Sequence, residues 1–178
     1  NNLISDVKGI KVGHTTLNDG KIKTGVTALI PHTGNIFKEK LICSSYVING
    51  FGKSCGLMQI DEIGTLETPI ILTNTLSVGT ASNALIKYMI KNNEDIGTTT
   101  GTVNPIVCEC NDGFLNDIKG FHVKEEHVFQ ALENAEVKFQ EGSIGAGTGM
   151  SCYQLKGGIG SASRVIKLDE KEYTIGAM

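Results

Sequence analysis

One long amphipathic segment, set between strand-like runs, limits what this chain can become. Ala81, Ala84, Leu85, Tyr88 and Met89 recur at i, i+3, i+4, i+7 and i+8, so they share one face of a helix over about 77–92, opened by Ser77. Val128, Ala131, Leu132 and Ala135 repeat the spacing and predict a second helix over about 124–135. Strand-like runs precede the helices at 9–13, 23–30, 42–48, 55–60 and 70–72. Pro31 bounds the second run, and the glycine turn Asn49-Gly50-Phe51-Gly52 joins the third and fourth as an expected hairpin. Three more runs follow, at 150–155, 159–166 and 173–178. Strands on both sides of two helices predict a mixed α/β architecture, with layered sheets and helices against them rather than a parallel doubly wound fold.

With 178 residues, 40% hydrophobic and 20% charged, the chain holds enough apolar material for one sizeable core, and a single domain over 1–178 is expected. The formal charge of -3 is spread without a basic stripe or an acidic tail, which argues against nucleic acid and membrane surfaces as partners. A small or peptidic substrate is the remaining expectation. Five cysteines, irregularly spaced and with no secretory signal before them, read as reduced thiols in a cytoplasmic protein. No apolar run approaches the roughly 20 residues that a spanning helix needs.

Several apparent motifs fail on their mechanics. Gly52-Lys53-Ser54 could end a phosphate-binding loop, but Val47 stands where that loop needs its first glycine. His122 and His127 are five residues apart, off a common helical face, and His14 and His32 stand alone, so no metal site is expected. Cys108 and Cys110 form Cys-x-Cys without a second pair and read as buried structural thiols. The run 145–149 lacks the last glycine of a dinucleotide fingerprint, and the second helix precedes it instead of following.

Two other segments carry more information. Pro105-Ile106-Val107-Cys108 leads as a strand into Glu109 and then the polar turn Asn111-Asp112-Gly113. Alternation places Cys108 and Cys110 on one face, and Glu109 and Asn111 on the other, so that a carboxylate and an amide look into the same space. Such a strand end suits ligand binding, although Glu109 could equally cap the turn or pair with a lysine. Residues 142–160 contain seven glycines, a density tolerated where backbone closely approaches a strand, a substrate or a second polypeptide. The strand-like end at 172–178 and the non-methionine Asn1 suggest one piece of a longer product.

Six motifs in order carry a resemblance. They are Asn49-Gly50-Phe51-Gly52-Lys53, Gly64-Thr65-Leu66-Glu67-Thr68-Pro69, Thr73-Asn74-Thr75-Leu76-Ser77-Val78-Gly79, the run 109–117, the run 145–150, and Lys156-Gly157-Gly158-Ile159-Gly160 with Ala162-Ser163-Arg164. Over nearly its whole length the chain resembles the DmpA-type L-aminopeptidase/D-esterase family, which includes β-peptidyl aminopeptidases. The resemblance implies a four-layered α/β/β/α sandwich and a precursor that cleaves itself before a serine or threonine. The new amino group and hydroxyl then perform the chemistry, which needs no cofactor. This chain resembles the α subunit, completed by a β subunit from the same precursor in an oligomer of αβ units. Nucleophile and oxyanion-hole asparagine are expected outside it.

By the same resemblance, Glu109 matches the glutamate that holds a substrate's free α-ammonium. Asn111 matches a position where the founding member has a catalytic tyrosine. The change removes a phenol and leaves an amide that can donate to substrate or oxyanion. The implied substrates are short peptides, amides or esters with small N-terminal residues. Acyl transfer of the ornithine acetyltransferase type and a non-catalytic binding subunit of the same fold are the alternatives.

Overall fold

A computed structural model describes residues 1–178. β1 (Lys11–Asp19) and β2 (Ile22–Ile30) form a hairpin in full antiparallel register, from Lys11 opposite Ile30 to Asp19 opposite Ile22. Next come β3 (Leu41–Ile42), α1 (Leu57–Ile63), β4 (Thr65–Leu66), β5 (Ile70–Asn74), α2 (Val78–Asn92), β6 (Ile106–Cys110) and α3 (Glu125–Glu133). Four short strands complete the chain: β7 (Ser151–Cys152), β8 (Leu155–Lys156), β9 (Ala162–Leu168) and β10 (Lys171–Ala177).

The central sheet runs β1-β2-β5-β6, antiparallel except for the β5/β6 pair. That parallel pair needs a crossover, and α2 supplies it. Both expected helices exist because each has one apolar face and the sheet offers somewhere to bury it. Ala81, Ala84, Leu85 and Met89 of α2 join Val128, Ala131 and Leu132 of α3 in one core with Val26 and Ala28 of β2, Ile71 of β5 and Val107 of β6. The mixed α/β character expected from the order of elements is present, with one four-stranded sheet that carries both parallel and antiparallel pairs. No helix is long and apolar enough to cross a membrane.

The expected hairpin over 42–48 and 55–60 does not form. Leu41–Ile42 pairs with Thr65–Leu66 instead, and Cys55 bridges to Val107 of β6. Residues 57–63 are helical, between Gly56 at φ +86° and Gly64 at φ +73°. Two left-handed glycines favour a bounded helical turn over an extended strand: the Gly64 N–H closes the last turn on the Ile60 carbonyl, and Ile60 is buried. The expected single strand at 150–155 also divides. It reverses at Tyr153 (φ 50°) and Gln154 (φ 64°), the left-handed pair that a tight hairpin requires.

The glycine-dense segment packs on the chain's own backbone. A Cβ at Gly149 would stand 1.9 Å from the Lys23 carbonyl oxygen. The 145–147 turn is tied to β2 by the Ala146 N–H, which donates to the Thr27 hydroxyl at 3.1 Å. β9 and β10 form a separate hairpin, joined to the N-terminal residues by the Ile4 N–H on the Ser161 hydroxyl and the Ser163 N–H on the Asn2 side chain. Val165 (64%) and Ile175 (52%) keep most of their surface in solvent.

Candidate functional site

β5 and β6 run parallel, and Thr73 sits in register with Glu109. Immediately beyond this pair the two strands do different things. β5 turns into a short 3-10 segment, Thr75–Ser77, that leads into α2. The Asn74 side-chain oxygen accepts from the Leu76 and Ser77 N–H groups at 3.1 Å each, and its amide donates to the Thr24 hydroxyl at 2.9 Å. This cap satisfies orphan donors at the helix entrance and holds Thr75 against the end of β6.

Glu109 receives one donor on each carboxylate oxygen. The Lys53 backbone N–H donates to Oε1 at 3.0 Å, and the Thr75 hydroxyl donates to Oε2. Lys53 can approach because the preceding residues form a tight turn, in which the Phe51 N–H donates to the Asn49 side chain at 3.0 Å. Gly52 fits beneath the carboxylate, since a Cβ there would lie 3.2 Å from Oε1. A carboxylate offers about four acceptor positions. Two are filled by this scaffold, so further donors can still be taken.

The carboxylate lines a cleft of about 840 Å³ beside the C-terminal end of β6, walled by residues 43–54, α1, Thr75 and the end of the strand. Glu109 and Asn111 share this space. Cys108 and Cys110 line it too, because the cleft wraps around the strand end and is open to both of its faces. All five thiols are free. Burial pushes the Cys108 and Cys110 thiols up, and the neighbouring Glu109 charge adds to this, so neither is a ready thiolate. Asn111 is exposed. Its Oδ1 accepts the Gly113 N–H at 2.9 Å, which shapes the turn and leaves its amide nitrogen directed elsewhere. Near Gly52-Lys53-Ser54, the position a phosphate would need is next to a carboxylate.

Two residues beside this site escaped the sequence reading. Thr75 lies in a motif that carried the family resemblance, but nothing local to it signals a partner 34 positions away. Asp112, in an Asn-Asp-Gly turn, reads as a surface residue and is fully buried. The Asn116 amide donates to its Oδ1 at 3.1 Å, while Oδ2 has no partner. Burial pushes its carboxyl above the usual carboxylate range, with Thr24, Asn116 and Asn74 offsetting only part of the shift. The histidines are dispersed: His14 meets the Thr27 hydroxyl and the Gln140 carbonyl, and His122 meets Asp117.

A family model described as peptidase family S58 matches residues 2–178. The chain belongs to peptidase family S58. Among its relatives, the β-peptidyl aminopeptidase BapA of Sphingosinicella microcystinivorans is 37% identical over 188 residues, covering 100% of this S58 chain and 46% of the relative. The chain thus spans about half the length of the curated relatives it matches. A protein of Pyrococcus horikoshii superposes with a TM-score of 0.96 at 57% identity, over 98% of this chain and 52% of that one. The L-aminopeptidase D-Ala-esterase/amidase of Ochrobactrum anthropi superposes with a TM-score of 0.89 at 34% identity, over 98% of this chain and 51% of that one. It is described as a prototype of the serine aminopeptidases and a variant of the Ntn-hydrolase fold. The mixed α/β fold of the S58 chain is therefore that of an Ntn-hydrolase neighbour, and the family resemblance read from the six motifs holds.

Proposed function

We propose that this chain is the substrate-recognising portion of an S58 aminopeptidase, one that releases N-terminal residues from short peptides, amides or esters. The observation that carries the reading is Glu109: a carboxylate at the wall of an open cleft, oriented by the Lys53 N–H and the Thr75 hydroxyl, with acceptor capacity to spare. A free α-ammonium supplies what is missing. It is a small cation with three donors, and a charge-assisted bond contributes roughly twice what a neutral one does. Selectivity for unblocked amino ends follows from the same contact.

The nucleophile belongs, in this reading, to a second segment of the same precursor, which forms the β subunit and completes a four-layered α/β/β/α sandwich in an oligomer of αβ units. Its first residue, a serine or threonine, has a free amine with an ordinary pKa of about 7.7 to 8.0 that can take the proton of its own hydroxyl. The hydroxyl oxygen attacks the substrate carbonyl, an acyl-enzyme forms as the amine or alcohol leaves, and water releases the acyl group. Asn111 presents its amide nitrogen from the cleft wall to the substrate or the oxyanion. Leu168, Tyr173 and Ile175, exposed together on one face of the β9/β10 hairpin, and the half-length match to the relatives support a second segment.

Intact mass and N-terminal sequencing of the complete protein under denaturing conditions test this. Two chains, the second beginning with serine or threonine, are expected. A single uncleaved chain without turnover of aminoacyl amides would overturn the reading.

A further inference from the structure

The cleft that Glu109 lines has one acid in its wall and one base, Lys53. The two are tied through the backbone of Lys53, whose N–H is on Glu109 Oε1, but their charges do not meet. The Lys53 ammonium donates to the Phe51 carbonyl at 2.5 Å and lies over the Phe51 ring, 3.6 Å from its centroid. No carboxylate pairs with it, and it is the one lysine in the wall of this cleft. Phe51 is itself 81% exposed on the cleft wall, so the cation rests on a solvent-facing support.

We propose that Lys53 determines substrate specificity by receiving the free carboxylate of a short peptide whose amino end is held by Glu109. This rests on the Glu109 reading and goes beyond it: the preferred substrate class becomes the zwitterionic dipeptide, not aminoacyl compounds in general. Geometry limits the length. From the Lys53 nitrogen, 3.0 Å from Oε1, an extended lysine side chain places its ammonium at most roughly 10 Å from the Glu109 carboxylate. A dipeptide spans about 7 Å, leaving room for an angled contact at each end, while an extended tripeptide at about 10 Å leaves none. Swinging away from Phe51, the ammonium exchanges a carbonyl and a ring face for a carboxylate, the stronger partner. The scissile amide then lies between the two charges, and the carboxylate leaves with the amine product.

The test uses the complete, processed protein and compares kcat/KM for a small dipeptide, its C-terminal amide and the corresponding tripeptide. The free acid should be preferred over the amide by about fivefold at low salt, the scale of a solvent-accessible ion pair. The preference should shrink as ionic strength rises. In Lys53→Gln the acid-to-amide ratio should fall to about one, and in Lys53→Arg it should remain. A lysine that merely closes its own loop would leave the ratio unchanged in Lys53→Gln. That result, or equal turnover of acid and amide by the parent protein, would overturn the proposal. An N-acetylated dipeptide cleaved as fast as the free one would instead overturn the Glu109 reading, so the two failures are separable.

Discussion

Thr75 donates its hydroxyl to the Oε2 oxygen of Glu109, although 34 residues separate them in the chain. The contact follows from the parallel register of β5 and β6, which sets Thr73 beside Glu109 and leaves Thr75 just past the strand end. Asn74 fixes the turn between them. Glu109 is thus aimed by a neighbouring strand as well as by its own.

Removing that hydroxyl leaves one carboxylate oxygen without its donor. Thr75→Val should raise KM for substrates with a free amino group by about tenfold, since hydrogen bonds to charged groups contribute about 1.5 kcal/mol or more. Thr75→Ser should restore most of the loss. Steady-state kinetics on an aminoacyl amide decide it. Equal KM values in Thr75→Val and the parent would mean that the Lys53 N–H alone orients the acid.

Glu109→Gln tests the charge itself. The amide retains the shape and one acceptor but loses the attraction for an ammonium, so KM for unblocked peptides should rise by about 10- to 100-fold while two-chain processing continues. Comparing the variant on free and N-acetylated substrates isolates the effect. A proportionate loss on both would place Glu109 in a structural role.

Asp112 makes the pH dependence of stability specific. Because burial raises its carboxyl, the folded chain holds the proton more firmly than the unfolded one. The resulting stability is complete below the ordinary value of 3.8 and is lost as pH rises through the folded value. Asp112→Asn keeps the shape of the protonated acid without its titration. Its Tm relative to the parent should therefore climb with pH across that interval and then level off. A Tm difference that stays constant from acid to neutral pH would rule out titration of Asp112 as the cause.

Gly13 of β1 lies directly under α3, where a Cβ would stand 2.0 Å from the Ala131 carbonyl oxygen. The obstacle is helix backbone, which cannot rotate aside. Gly13→Ala should destabilise by about 1–3 kcal/mol through overpacking, a fall in Tm of several degrees. Differential scanning calorimetry would show it, and an unchanged Tm would mean that α3 shifts on the sheet at little cost.

Local periodicity determined the two main helices, because the apolar faces at 81–89 and 128–132 had a sheet available to cover them. Alternation placed Glu109 and Asn111 on one face of their strand, but the cleft also takes Cys108 and Cys110 from the other. Ordered motifs determined the family, because six of them in fixed order are far more specific than any one glycine run. Tertiary structure alone decided the rest. The segment 57–63 became a helix because Gly56 and Gly64 take left-handed conformations, while 41–42 found its partner at 65–66. Asp112 went from an apparent surface turn to full burial because Asn116 and the start of β2 close over it. The donors on Glu109 come from residues 53 and 75, brought there by a loop and a parallel register. A side chain's periodicity reports which face of its own element is apolar. Its partners depend on which other elements arrive there, and that is settled only when the whole chain packs.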